Sequence, residues 1–89
     1  MKSRATLRFW AAYRELPRDV REAAQKAYRL FQHDPNHPSL QFKKVHAREP
    51  IYSVRVSGGY RVVGLLDQDE VSWFWIGGHA DYDRILKNL

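Results

Sequence analysis

The 89-residue chain contains no cysteine, which excludes a disulfide framework and a thiolate metal site. It also lacks long apolar runs. No segment approaches the roughly 20 residues that a membrane-spanning helix needs, and the first residues show no signal-peptide pattern. There is no glycine-rich phosphate loop, no serine nucleophile motif and no paired-carboxylate signature. Repeats, low-complexity tracts and linkers are missing too, so nothing marks an internal boundary. These absences lead to the expectation of one soluble, cytoplasmic domain over 1–89 with room for a single core.

What is present suits a compact fold: 44% hydrophobic and 13% aromatic residues, more than a disordered chain carries. Acidic residues are the scarce charge, 10 against 15 Lys and Arg, for a net charge of +5. Their distribution matters more than the sum. Residues 35–61 hold Lys43, Lys44, Arg48, Arg55 and Arg61 against Glu49 alone, whereas residues 62–89 hold five acids against Arg84 and Lys87. A basic centre of this kind serves a polyanion or an acidic protein partner, or is simply a solvated surface.

Phe9, Ala12, Tyr13 and Leu16 recur at helical spacing, and Val20, Ala23, Ala24, Ala27, Tyr28 and Phe31 continue the period after Pro17. The pattern predicts two helices meeting near Leu16-Pro17 and packed as a hairpin, with Pro17 as the first residue of the second. That helix ends by Asp34-Pro35, because the residue before proline resists helical geometry. Strands are predicted at about 40–45, 51–56, 60–67 and 71–77, with Asp67–Glu70 as a polar hairpin turn and a short helix over about 81–89. Residues 6–8 are a weaker candidate for an edge strand. The outline is α+β: an N-terminal helical hairpin on a small antiparallel sheet, closed by a C-terminal helix.

The chemistry concentrates where the second and third predicted strands meet. Val54-Arg55-Val56 and Tyr60-Arg61-Val62 flank Ser57-Gly58-Gly59. A two-residue glycine turn pairs Val56 with Arg61 and sends the arginines to opposite faces. A three-residue loop with one left-handed glycine pairs Arg55 with Arg61. The second register collects Tyr52, Val54, Val56, Tyr60, Val62 and Leu66 on one face, the better hydrophobic pattern. It also sets two like charges directly opposite, an unfavourable pair unless an anion lies between them. Opposed guanidinium groups can grip phosphate oxygens and neutralise charge in a phosphoryl transition state. The alternative is that each pairs with a carboxylate such as Asp67, Asp69 or an acid of the last helix.

His79 follows Gly77-Gly78 at a bend after an apolar strand, where an imidazole can exchange protons or merely cap the next helix. Tyr82 lies three residues on and can stack on a base, donate to a phosphate or pack. Lys43, Lys44, His46 and Arg48 form a second basic group, either RNA-binding or a solvated strand end. If that strand is extended, Lys44, His46 and Arg48 face one way and Lys43 the other. His33 and His37 have zinc-like spacing, but Pro35 breaks the helix between them, and no metal site is expected. Trp73 and Trp75 can stack on bases but read better as core or a partner groove.

Taken together, these segments resemble the RelE/ParE toxin superfamily of bacterial toxin–antitoxin modules. The residues that carry the likeness are Leu16-Pro17, Asp34-Pro35, His37-Pro38-Ser39-Leu40, Phe42-Lys43-Lys44-Val45, Ser53-Val54-Arg55-Val56, Tyr60-Arg61-Val62 and Trp75–His79. The resemblance implies a cognate antitoxin and, in RelE-like members, a metal- and cofactor-independent endoribonuclease. Such members enter the ribosomal A site and cut mRNA by attack of a 2′-hydroxyl on the adjacent phosphate. It further implies that Arg61 stabilises the transition state, Arg55 holds the phosphate, His79 is the acid–base group and Tyr82 orients a base. One departure stands out: RelE-like strands carry lysines where Ile51 and Ser53 stand here, and Lys44 or His46 are candidate substitutes. ParE-like members share the fold but poison DNA gyrase. A non-toxic module binding antitoxin and operator DNA is the third reading.

Overall fold

The computed structural model describes residues 1–89 throughout. Its elements run β1 (Lys2–Ala5), α1 (Leu7–Arg14), α2 (Arg18–His33), β2 (Lys43–Lys44), β3 (Ile51–Ser57), β4 (Tyr60–Asp67), β5 (Glu70–Gly78) and α3 (His79–Lys87). The sheet order is β1-β5-β4-β3-β2, so β4 lies at its centre. Strands β2 to β5 form the expected antiparallel meander, but β1 pairs with β5 in parallel and makes the sheet mixed. The edge strand is therefore residues 2–5 and not 6–8. Thr6 instead starts α1, its hydroxyl accepting from the Phe9 N–H at 3.2 Å.

Helix α2 places Val20, Ala24 and Phe31 on its buried stripe and stops at Asp34, as the proline rule requires. Pro17 is its cap and not its first residue. Phe31 then meets Phe42 and Trp73 edge to face, with ring centroids 5.1 Å and 5.4 Å away. Helices α1 and α2 meet at Leu16-Pro17 but part from there. Helix α1 packs on β5 and α2 on β3, leaving an apolar groove of about 490 Å³ between them. No helix of the structure is long and apolar enough to cross a membrane.

Both faces of the sheet are covered. Under α1 and α2 lie Val54, Val62, Val71, Trp73 and Ile76; under α3 lie Ile51, Val63 and Trp75, with Tyr82 of α3 packed onto them. Trp73 and Trp75 fall on opposite faces although they are two residues apart, because a bulge at Phe74 shifts the β4–β5 register. Each indole lies over a glycine. A Cβ on Gly64 would come within 2.6 Å of Trp73 Cε3, and one on Gly77 would strike the Trp75 ring. The first predicted strand shrinks to Lys43–Lys44, preceded by a 3-10 turn at Pro38–Leu40 whose cap, Gln41, takes the left-handed φ of 47°. Helix α3 starts at His79, two residues earlier than its spacing suggested.

The arginine register is as the hydrophobic pattern demanded: Arg55 opposes Arg61. Its cause differs from the expected one. Ser57 pairs with Tyr60 across a Gly58-Gly59 turn, neither glycine has positive φ, and the odd residue is Val56, left unpaired as a bulge in β3. The bulge solves the same parity problem within the strand that a longer loop would solve at the turn.

Gly64→Ala should destabilise the domain by about 1–3 kcal/mol, because the Trp73 ring and the Ser72 carbonyl leave no room for a methyl group. Urea unfolding checks it. An unchanged midpoint would contradict the packing described.

Candidate functional site

The face under α3 carries Ile51, Ser53 and Arg55 from β3, and Arg61 and Val63 from β4. Near α3 these positions are floor. Ile51 and Ser53 are 4% and 1% exposed, and the Ser53 hydroxyl accepts from Tyr82 Oη at 3.4 Å. A lysine at either position would bury its charge beneath α3. Beyond the helix the same face emerges and holds the two arginines.

Arg61 is half-buried and folds back on the hairpin. Its Nη1 donates to the Ser57 and Tyr60 carbonyls, each at 3.0 Å. Arg55 lies along the same turn, with Nη2 4.0 Å from where a Gly58 side chain would start. Neither arginine has a carboxylate within 4.0 Å. The ion pairs are Arg18–Glu22 and Arg84–Asp81, and Asp83 lies nearest His79, so the acids of α3 face partners within α3. The carboxylate pairing considered for Arg55 and Arg61 does not occur. Like charges on directly opposite residues repel, and more strongly where water is partly excluded. An anion bound between them would turn this pair into a favourable one.

The start of α3 joins the same corner. The His79 N–H donates to the Gly59 carbonyl at 2.9 Å, tying the helix to the arginine turn, and Gly78 gives no side-chain cap. The positive end of the helix dipole thus adds to the local potential. The His79 side chain is 62% exposed, with Nε2 3.9 Å from an Asp83 carboxylate oxygen. Its ring stacks on Tyr82 at 5.9 Å. Tyr82 itself is buried, so its contact with this corner runs through His79.

The second basic group is split. Lys43 pairs with Ser53, on the arginine face, whereas Lys44 pairs with Tyr52, whose ring packs at a tilt against Phe42 on the other. The extended path expected beyond Lys44 does not form. His46 folds the chain into a turn, its Nδ1 accepting from the Arg48 and Glu49 N–H groups, and its Nε2 lies 3.3 Å from the Leu89 carbonyl. His33 ends α2, while the His37 Nδ1 caps the 3-10 turn. Sequence spacing did not find Ser53 as the partner of Tyr82. The only available signal was a serine set between the apolar Tyr52 and Val54.

A mixed five-stranded sheet with a helical pair on one face and a terminal helix on the other is the architecture of RelE-type toxins. The RelB–RelE antitoxin–toxin complex from Methanococcus jannaschii contains a chain that superimposes with a TM-score of 0.73 at 17% identity, over 90% of this chain and 95% of that one. YafQ from E. coli gives 0.73 at 8%, covering 91% and 96%, and the isolated E. coli RelE toxin gives 0.65 at 19%, covering 99% and 98%. At such identities the likeness is one of fold. No curated protein matches the chain in sequence. Family membership comes from residues 18–84, which match the ParE-like toxin domain: the chain belongs to the ParE-like toxin family.

Two outcomes follow from the burial pattern. His79→Ala should change unfolding free energy by no more than about 0.5 kcal/mol, since the side chain is mostly solvated. Tyr82→Phe and Ser53→Ala should each cost about 1 kcal/mol and together cost less than their sum, because they remove the same hydrogen bond. Strictly additive losses in urea unfolding would show that the bond contributes nothing.

Proposed function

We propose that the chain is the toxin of a toxin–antitoxin pair and a metal-independent endoribonuclease that cuts mRNA at the ribosomal A site, inhibiting translation. The observation that carries this reading is the unpaired Arg55–Arg61 couple beside an exposed imidazole. Arg55 holds the phosphate and Arg61 stabilises the charge that grows on its oxygens. His79 takes the proton from the 2′-hydroxyl as that oxygen bonds to phosphorus. The bond to the 5′ oxygen breaks, and that oxygen takes a proton from solvent, leaving a 2′,3′-cyclic phosphate and a 5′-hydroxyl end. Tyr82 acts as a positioning residue, supporting the His79 ring from beneath.

An antitoxin partner is supported by the groove between α1 and α2, where Trp10 and Tyr28 remain 43% exposed, and by the antitoxin-bound state of the M. jannaschii neighbour. A second reading, poisoning of DNA gyrase, is favoured by the ParE-like family match and by the absence of lysines at Ile51 and Ser53.

The chain induced alone in bacteria should produce new RNA 5′ ends inside translated codons within minutes. Arg61→Ala should produce none, and His79→Ala should lower cutting by roughly a hundredfold while remaining folded. Growth arrest without new ends would select gyrase. Full cutting by His79→Ala would remove the imidazole from the mechanism.

A further inference from the structure

The β2–β3 register separates two adjacent lysines, and only one of them reaches the arginine face. Residues directly opposite in an antiparallel pair share a face. Lys43 opposes Ser53 and so lies on the face of Arg55 and Arg61; Lys44 opposes Tyr52 and projects the other way. Arg55 is two residues beyond Ser53, which makes it the diagonal neighbour of Lys43, about 7–8 Å away and within reach of two long side chains. Three cations thus cross three neighbouring strands: Lys43 on β2, Arg55 on β3 and Arg61 on β4.

Resting on the ribonuclease reading above, we infer that Lys43 is a third cation of the phosphate site, donating from Nζ to a phosphoryl oxygen as charge grows on it. Three observations carry this. Lys43 is exposed and has no carboxylate within 4.0 Å, so its ammonium is free to meet an anion. The floor between Lys43 and the helix is Ile51 and Ser53, both buried, one apolar and the other bonded to Tyr82; neither supplies a cation. The arginine fork Arg61 also spends one nitrogen on the Ser57 and Tyr60 carbonyls. A compact ammonium with three donors complements two planar forks because it can meet the oxygen they do not. No proton moves to or from Lys43 in this role.

Lys44 is the built-in control, because Lys43→Met and Lys44→Met remove the same charge from adjacent positions on opposite faces. The test compares both with the unchanged chain, induced alone, by the rate at which new RNA 5′ ends accumulate per folded protein. Lys43→Met should lower the rate by roughly tenfold or more, as expected for loss of one charge-assisted donor to the phosphate. Lys44→Met should stay within about threefold of the unchanged chain if it contributes only diffuse charge. Lys43→Gln provides a second measurement should the methionine variant misfold. Equal losses at both positions, or unimpaired cutting without Lys43, would overturn the inference while leaving the ribonuclease reading intact. No cutting by the unchanged chain would overturn both.

Discussion

The site depends on one uncomfortable constraint: two arginines held directly opposite each other on adjacent strands. The apolar residues of β3 and β4 force it. Val54 and Val62 must face α1 and α2, and with Val56 bulged out of the ladder that requirement leaves Arg55 and Arg61 as partners. Hydrophobic burial of several side chains, at about 1.5–3 kcal/mol each, outweighs a like-charge repulsion of one or a few kcal/mol. The core therefore fixes the charge pair, and the pair is left to find its counter-ion outside the chain.

The surroundings preserve that deficit. Asp81 and Asp83 lie in the first turns of α3, yet Asp81 pairs with Arg84 and Asp83 lies nearest His79, both along their own helix. Arg61 is steadied by two backbone carbonyls, which orient its guanidinium without neutralising it. The bond from the His79 N–H to the Gly59 carbonyl ties the helix to the hairpin that carries Arg61. Tyr82 completes the arrangement from below, filling the interior while holding the one buried polar side chain, Ser53. Packing, capping and charge placement converge on a preorganised anion corner, the kind of site in which electrostatic stabilisation needs little reorganisation.

Much of this was legible in the sequence, and the reasons are specific. The helical period of Val20 to Phe31 and the alternation in β3 and β4 are long enough to overcome local noise, so both helices and the Arg55–Arg61 register could be read directly. What escaped was decided by single residues. The bulges at Val56 and Phe74 leave no signature in a hydrophobic pattern, yet the second sends Trp73 and Trp75 to opposite faces. Strand β1 is four residues with little apolar content, held by parallel pairing to a distant strand that sequence proximity does not suggest. The division of Lys43 from Lys44 required the β2 register, which two residues cannot specify alone. Spacing leaves Tyr82 open between a base-stacking role and packing, and only the tertiary structure shows its ring mostly inside the protein.

The central claim is that Arg55 and Arg61 form one anion site whose charge the protein does not satisfy. The most direct measurement is a phosphate titration of the isolated, folded chain, following the arginine Nε–H resonances by NMR. The resonances of Arg55 and Arg61 should move together along one saturating curve that weakens with added salt, while Arg18 and Arg84, already paired with carboxylates, stay near their starting positions. Shifts spread evenly over all the arginines, or none at Arg55 and Arg61, would contradict the account.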